Sequence, residues 1–152
     1  MPKIAEPEYA ELKKFFIAWK DEFPPHSSLP PEHHPVAVLN AMELQSRSRA
    51  RVGLGMAIND ILEESWKFSQ GRVAQIDASF RDKGILQLSE LRRRYSRQFR
   101  AILKRGNIKN DTEYYLVQGI LASFTADAND NERKLLEDIS TAYGARMRPA
   151  QD

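Results

Sequence analysis

Apolar positions along this chain recur at helical spacing in six segments, and no segment shows convincing two-residue alternation. From Glu6 to Phe23, Tyr9, Leu12, Phe16 and Trp19 return every three to four residues with Phe15 alongside. Pro7 falls in the first turn, where its missing N–H breaks no helical bond. A second helical pattern runs from Val36 to about Lys67, with Ile58, Ile61, Leu62 and Trp66 as its apolar face. Gly53 and Gly55 sit in its middle at about 1 kcal/mol each relative to Ala. The pattern predicts one long helix bent or interrupted near the glycines; the alternative is that they admit a neighbouring helix at close range. Ser69 is a candidate N-cap for a helix to about Lys83 carrying Val73, Ile76 and Phe80, and Gly84 supplies a left-handed stop. Leu88, Leu91, Tyr95, Phe99, Ile102 and Leu103 then share one face of a further helix, which Gly106 ends. Asn110 with Glu113, and Asn129 with Glu132, have capping-box spacing and open the last two helices, to about Phe124 and Met147. Tyr114-Tyr115-Leu116-Val117 is β-prone only in isolation. The expectation is an all-α fold, a compact bundle of about six helices.

The punctuation between these segments is uneven. Residues 24–35, PPHSSLPPEHHP, contain five prolines, none of which continues a helical ladder, so this stretch reads as a stiff, extended connector. At 152 residues the chain is long enough to bury one core, and we read 1–152 as a single α-helical domain with frayed ends at 1–5 and 148–152.

Composition narrows the function classes by exclusion. With 41% hydrophobic and 29% charged residues a core should form, which argues against wholesale disorder. A formal charge of +2 falls well short of the balance of many dedicated nucleic-acid binders. The absence of cysteine excludes disulfides, thiolate nucleophiles and Cys-based metal sites. The N-terminal MPKIAEPEYAELKKFF lacks the apolar run of a signal peptide, and no later stretch approaches the roughly 20 apolar residues of a membrane span. The expected location is the cytoplasm, away from any membrane.

One charge pattern changes this picture. The segment LSELRRRYSRQFRAILKRGNIKN carries eight of the 23 Lys and Arg residues between Arg92 and Lys109, with no acid among them. Opposite the apolar face of this basic helix, taken as 90–105, the wheel aligns Arg93, Arg97, Arg100 and Lys104 as candidate partner- or anion-binding residues. Asp111 to Asp138 then holds seven acids against Arg133 and Lys134, so the acidic stretch can neutralise the basic one within the fold. A solvated basic face paired to those acids is the default reading. An anionic protein surface comes next, then a nucleic acid, with Tyr95 or Tyr114 adding stacking to successive phosphate contacts. Arg92 falls on the edge of the apolar face, where a charge must be paired or snorkel outward, and an internal carboxylate such as Asp77 or Asp60 is a candidate partner.

Other constellations read more plainly. His26, His33 and His34 lie in the proline-rich connector without H-E-x-x-H or E-x-x-H spacing and read as surface residues, so we expect no metal. Asp60, Glu63 and Glu64 cluster at helical spacing, where solvated surface is the default. Gly53-Leu54-Gly55 lacks the third glycine and preceding strand of a dinucleotide loop. Phe15, Phe16 and Trp19 could serve as a partner face, but core packing is the simpler use. No nucleophile, base and orienting group can be named together, so no catalytic residue and no cofactor are expected.

The segments MAINDILEES, QIDASFRDKGILQLSELRRRYS and KRGNIKNDTEYYLVQGIL resemble small uncharacterised helical proteins of proteobacteria, some of them associated with toxin-immunity loci. The resemblance covers roughly residues 50–125, contains no catalytic motif and transfers no site residue. It implies a cytoplasmic bacterial protein that acts by binding another protein. The sequence therefore points to a non-enzymatic protein-interaction module with an unknown protein partner, in an immunity or adaptor role. Binding of RNA or DNA through the basic helix is the alternative.

Overall fold

The computed structural model describes residues 3–124 and 130–147, and among them the chain is helical with no strand. The elements are α1 (Glu6–Glu22), α2 (Pro35–Gln45), α3 (Arg47–Ser65), α4 (Gln70–Asp82), α5 (Leu88–Tyr95), α6 (Arg97–Arg105), α7 (Asp111–Ser123) and α8 (Asp130–Met147), with a 3-10 turn at Pro31–His33. The all-α architecture is as the periodicity predicts. The described helices number eight rather than about six, because two long apolar patterns are each divided by a serine.

Ser46 and Ser96 make these divisions by the same device. Each leaves the helical region, at φ −162°, ψ 115° and φ −70°, ψ 126° respectively, and each turns its hydroxyl back as an N-cap. Ser46 Oγ accepts from the Arg49 N–H at 3.3 Å, and Ser96 Oγ from the Phe99 N–H at 3.2 Å, satisfying donors that a new helix start would otherwise orphan. The predicted interruption at Gly53 and Gly55 is thereby corrected: α3 runs unbroken through both. Gly53 instead serves the close approach of α2, since a Cβ there would lie 3.0 Å from Met42 Sδ.

The proline-rich segment is also corrected. It is folded into turns, and Pro35 is the first residue of α2, where its missing N–H is harmless. His34 caps that helix, its Nδ1 accepting from the Val36 N–H at 3.1 Å. Ser69 caps α4 through the Arg72 N–H at 3.1 Å, and Asn110 caps α7 through the Glu113 N–H at 2.9 Å. Gly84 and Gly106 adopt φ +70° and +80°, the left-handed stops that residues with a Cβ rarely tolerate. Asn129, expected to cap α8, lies outside the described residues, as do 1–2 and 148–152 of the expected frayed ends. Ile4 is buried, so fraying does not extend over it.

Contacts group the chain into two compact units. The first comprises the described residues up to Lys67 with Phe80–Leu86. Within it α1 and α2 pack on α3, and the core is an aromatic cluster. Phe15 stacks on Trp19 with ring centroids 5.8 Å apart, and Phe80 meets Phe15 edge-on at 5.4 Å. Phe15, Phe16 and Trp19 are thus core residues, each side chain worth about 1.5–3 kcal/mol through burial. At the edge of this unit Tyr9 donates to Glu43 at 3.0 Å, and Lys13 donates to the same carboxylate at 2.6 Å.

The second unit comprises Phe68–Ser79 and the described residues from Gln87 to Met147. Here α5, α6 and α8 pack on α7. Leu88, Leu91 and Tyr95 come inward from α5, Phe99 and Ile102 from α6, Leu116, Val117 and Ile120 from α7, and Leu136, Ile139 and Tyr143 from α8. Gly119 of α7 lies against α5 at Ser89, whose Oγ would be 3.3 Å from an added Cβ. Leu103, predicted as core, is only half-buried.

Candidate functional site

A one-signed surface belongs to α6, whose start is set by the Ser96 cap. In α6 the apolar positions Phe99 and Ile102 turn into the second unit with no residual exposure. Arg97, Arg100 and Lys104, spaced three and four apart, fall on the opposite face and are exposed, with Ala101 exposed among them. At 1.5 Å per residue the three cations span about 10 Å in single file. Lys104 also lies in the last turn, where the helix dipole favours a positive charge.

Arg93 does not join this row. It belongs to α5, before the break, and is half-buried between two carboxylates: its guanidinium donates to Glu90 at 2.7 and 2.9 Å and to Glu132 of α8 at 3.2 Å. The Glu90 hydrogen bonds and charge, with Glu132 behind them, raise the Arg93 pKa above its ordinary value against the effect of burial. Glu90 also accepts from Arg94 Nε at 3.1 Å. Burial pushes the Glu90 carboxyl upward, but the two guanidiniums outweigh it and hold the group below the usual carboxylate range.

The other bases of the segment are likewise engaged. Arg105 donates to Glu113 of α7 and, through Nε and Nη2, to the Asn107 side chain and carbonyl at 2.8 and 2.9 Å. Glu113, buried beside the start of α7, also accepts from the Lys109 N–H at 3.0 Å, one residue earlier than a reciprocal capping box would place the bond. Arg92 is only 6% exposed; burial lowers its pKa to about 10, while the nearby Asp77 carboxylate opposes the shift. Asp77, one of the two expected partners, is itself raised by burial. It accepts from the Ser89 N–H at 3.0 Å and the Ser89 hydroxyl at 2.5 Å, which with the Arg92 charge limit the rise. This is a structural cluster at the α4–α5 junction.

Glu113 and Glu132 of the acidic stretch therefore absorb Arg105 and part of Arg93, as the sequence balance suggests, and Glu90 of α5 itself takes Arg93 and Arg94, but no described acid takes the outward row. Arg97 and Lys104 have no ion pair among the described residues, and Arg100 donates only to the Arg94 carbonyl, at 3.1 Å. Sequence reasoning missed the Ser96 break that moves Arg93 out of the row; a serine inside an otherwise cap-free basic run was its one signal. The aromatic side chains expected to supplement the row are also taken up. Tyr95 is buried, and Tyr114 packs against Tyr143 with centroids 5.4 Å apart.

Elsewhere, His26 Nδ1 lies 2.7 Å from Ser28 Oγ, and Asp60, Glu63 and Glu64 are exposed along α3. No group of three potential metal ligands converges among the described residues. None of the described helices is long and apolar enough to cross a membrane. No protein-family model, no curated protein and no solved structure matches the chain.

Proposed function

We propose that this chain is a non-enzymatic protein-interaction module that docks an acidic protein surface on the outward face of α6, in an immunity or adaptor role in a bacterial cytoplasm. The observation that carries the reading is the contrast within one basic segment. Arg93, Arg94 and Arg105 are consumed by internal carboxylates, whereas Arg97, Arg100 and Lys104 stay exposed without a carboxylate. Three cations in a rigid file of about 10 Å fit carboxylates at i, i+3 or i+4 and i+7 on a facing helix, which share the same rise. Rim charges of this kind steer association and suppress wrong partners more than they add affinity, so the recognised surface must contribute contacts of its own.

Nucleic-acid binding through 90–105 is less well supported. Such a site gains from base stacking and from several phosphate contacts, but Tyr95 is buried, Tyr114 is packed, and Arg93 is held by two acids. The test is affinity capture in the native host with the full chain and with the Arg97→Glu, Arg100→Glu, Lys104→Glu triple variant, each with and without nuclease. A stoichiometric protein recovered only by the unaltered chain, and insensitive to nuclease, is the expected result. Recovery of the same protein by both chains, or of nucleic acid alone, would remove the reading.

A further inference from the structure

The first unit carries a surface that the α6 proposal does not use. On α3 the buried positions Ala50, Leu54, Ile58, Ile61 and Leu62 occupy one side, and Arg49, Val52, Met56, Asp60 and Glu63 form an exposed stripe on the other. Two features of the stripe are unusual for solvated helix surface. Its centre is apolar, with Val52 at 60% and Met56 at 49% exposure one turn apart. Its ends are charged with opposite sign, and neither Arg49 nor Asp60 has a side-chain hydrogen bond or ion pair among the described residues. The neighbouring α2 points the same way. PVAVLNAMELQ is apolar around much of its circumference, yet Leu39 is its one buried residue; Val38 is exposed and Leu44 is 91% exposed. Helices that are apolar on several sides are ordinarily covered.

A stripe with an apolar centre and opposite charges five and six residues to either side of it is nearly complementary to itself when reversed. We infer that α3 pairs antiparallel with α3 of a second copy, Val52 resting on Met56 of that copy and Arg49 meeting its Asp60. Antiparallel alignment about the midpoint between Val52 and Met56 gives Val52 to Met56 twice, by the two-fold axis. It also brings each Arg49 to within one residue of register with an Asp60, an offset that the long arginine stem spans. A parallel alignment sets Arg49 against Arg49 and Asp60 against Asp60. The charges therefore select the antiparallel form, as interfacial charges generally fix orientation and register.

The apolar contact is small, which sets the strength. Two apolar side chains per copy, flanked by two ion pairs, bury far less than the roughly 800 Å² per partner of a standard interface, so the dimer belongs to the weak, transient class with Kd on the order of 0.1 mM. The experiment is sedimentation equilibrium of the full chain from about 10 µM to about 1 mM, for the natural protein and four variants, with far-UV circular dichroism as the folding control. All the substituted side chains are exposed, so the helical signal should be retained. The natural chain should show a monomer–dimer equilibrium. Met56→Glu should abolish it over that range. Arg49→Asp and Asp60→Arg should each weaken it by roughly tenfold, since every reversal acts twice across the two-fold axis. The double variant carrying both reversals should recover the natural constant, because each copy then presents the swapped pair to the other. A monomer at every concentration, a dimer indifferent to Met56→Glu, or a double variant no better than the singles would each overturn the inference.

Discussion

Truncating Phe99 to Ala tests how α6 is seated. The ring is fully buried in the first turn after the Ser96 cap, and Leu88, Leu91, Ile102, Leu116 and Val117 are other fully or almost fully buried members of the same unit's core. Removing it forfeits the transfer of the aromatic ring out of water and leaves a cavity that a close-packed interior fills only in part. The combined loss is about 3–5 kcal/mol, against a total stability of about 5–15 kcal/mol for an ordinary domain. Arg97→Ala, two residues away on the exposed face and without an ion pair, should change stability by no more than about 0.5 kcal/mol. The assay is urea denaturation of the full chain followed by far-UV circular dichroism, which reads the helices of both units. Trp19 and Trp66, both in the first unit, provide fluorescence that reports that unit separately. Equal losses for the two variants would mean that α6 is buried on both sides, and the exposed cationic row would not exist.

Three further outcomes follow from particular contacts. Glu113→Ala, which strips a buried carboxylate from Arg105 and the Lys109 N–H, should cost about 2 kcal/mol in the same denaturation experiment, whereas Glu137→Ala on the exposed side of α8 should be near neutral. Gly119→Ala places a Cβ 3.3 Å from Ser89 Oγ, and that hydroxyl is held by Asp77 at 2.5 Å and cannot easily yield. The overpacking should exceed the gain in helix propensity for a net loss of about 1 kcal/mol; a stabilised variant would show that Ser89 moves freely. Glu90 has its folded pKa held below the ordinary 4.5, so its contribution to stability is present above 4.5 and lost as pH falls through the lower folded value. Glu90→Gln should flatten the acid side of the stability–pH curve below about pH 4.5 relative to the natural chain, and an unchanged slope would contradict the Arg93 and Arg94 pairing.

The helical class was legible because the apolar residues of α1, α4, α7 and α8 keep a 3.6-residue period that tertiary packing then uses as it stands. What periodicity could not reveal was where a helix stops without losing that period. Leu88, Leu91, Tyr95, Phe99 and Ile102 continue one wheel through Ser96, and all five are buried in the structure, so the apolar pattern alone was blind to the break. The cap chemistry was the only trace, and a lone serine competes with many serines that cap nothing. The consequence fell on the opposite face, where Arg93 left the row. Partner choice was legible only in part: the segment balance anticipated that acids near α7 and α8 would neutralise bases. That Glu90 would take both Arg93 and Arg94 depends on half-buried geometry at i, i+3 and i+4 that a charge count does not contain. Gly53 was ambiguous for a similar reason, since a glycine at a helix bend and a glycine under a neighbouring side chain have the same sequence signature.

The central claim is that the row Arg97, Arg100, Lys104 is a docking face for an acidic protein surface. The most direct measurement places a photo-crosslinking amino acid at Ala101, exposed among those three cations, and irradiates the full chain in its native host. The account predicts a dominant adduct to one protein, joined through an acidic segment and lost when Arg97, Arg100 and Lys104 are changed to Glu. An adduct to nucleic acid, a protein adduct that survives the triple reversal, or no adduct at all would contradict it.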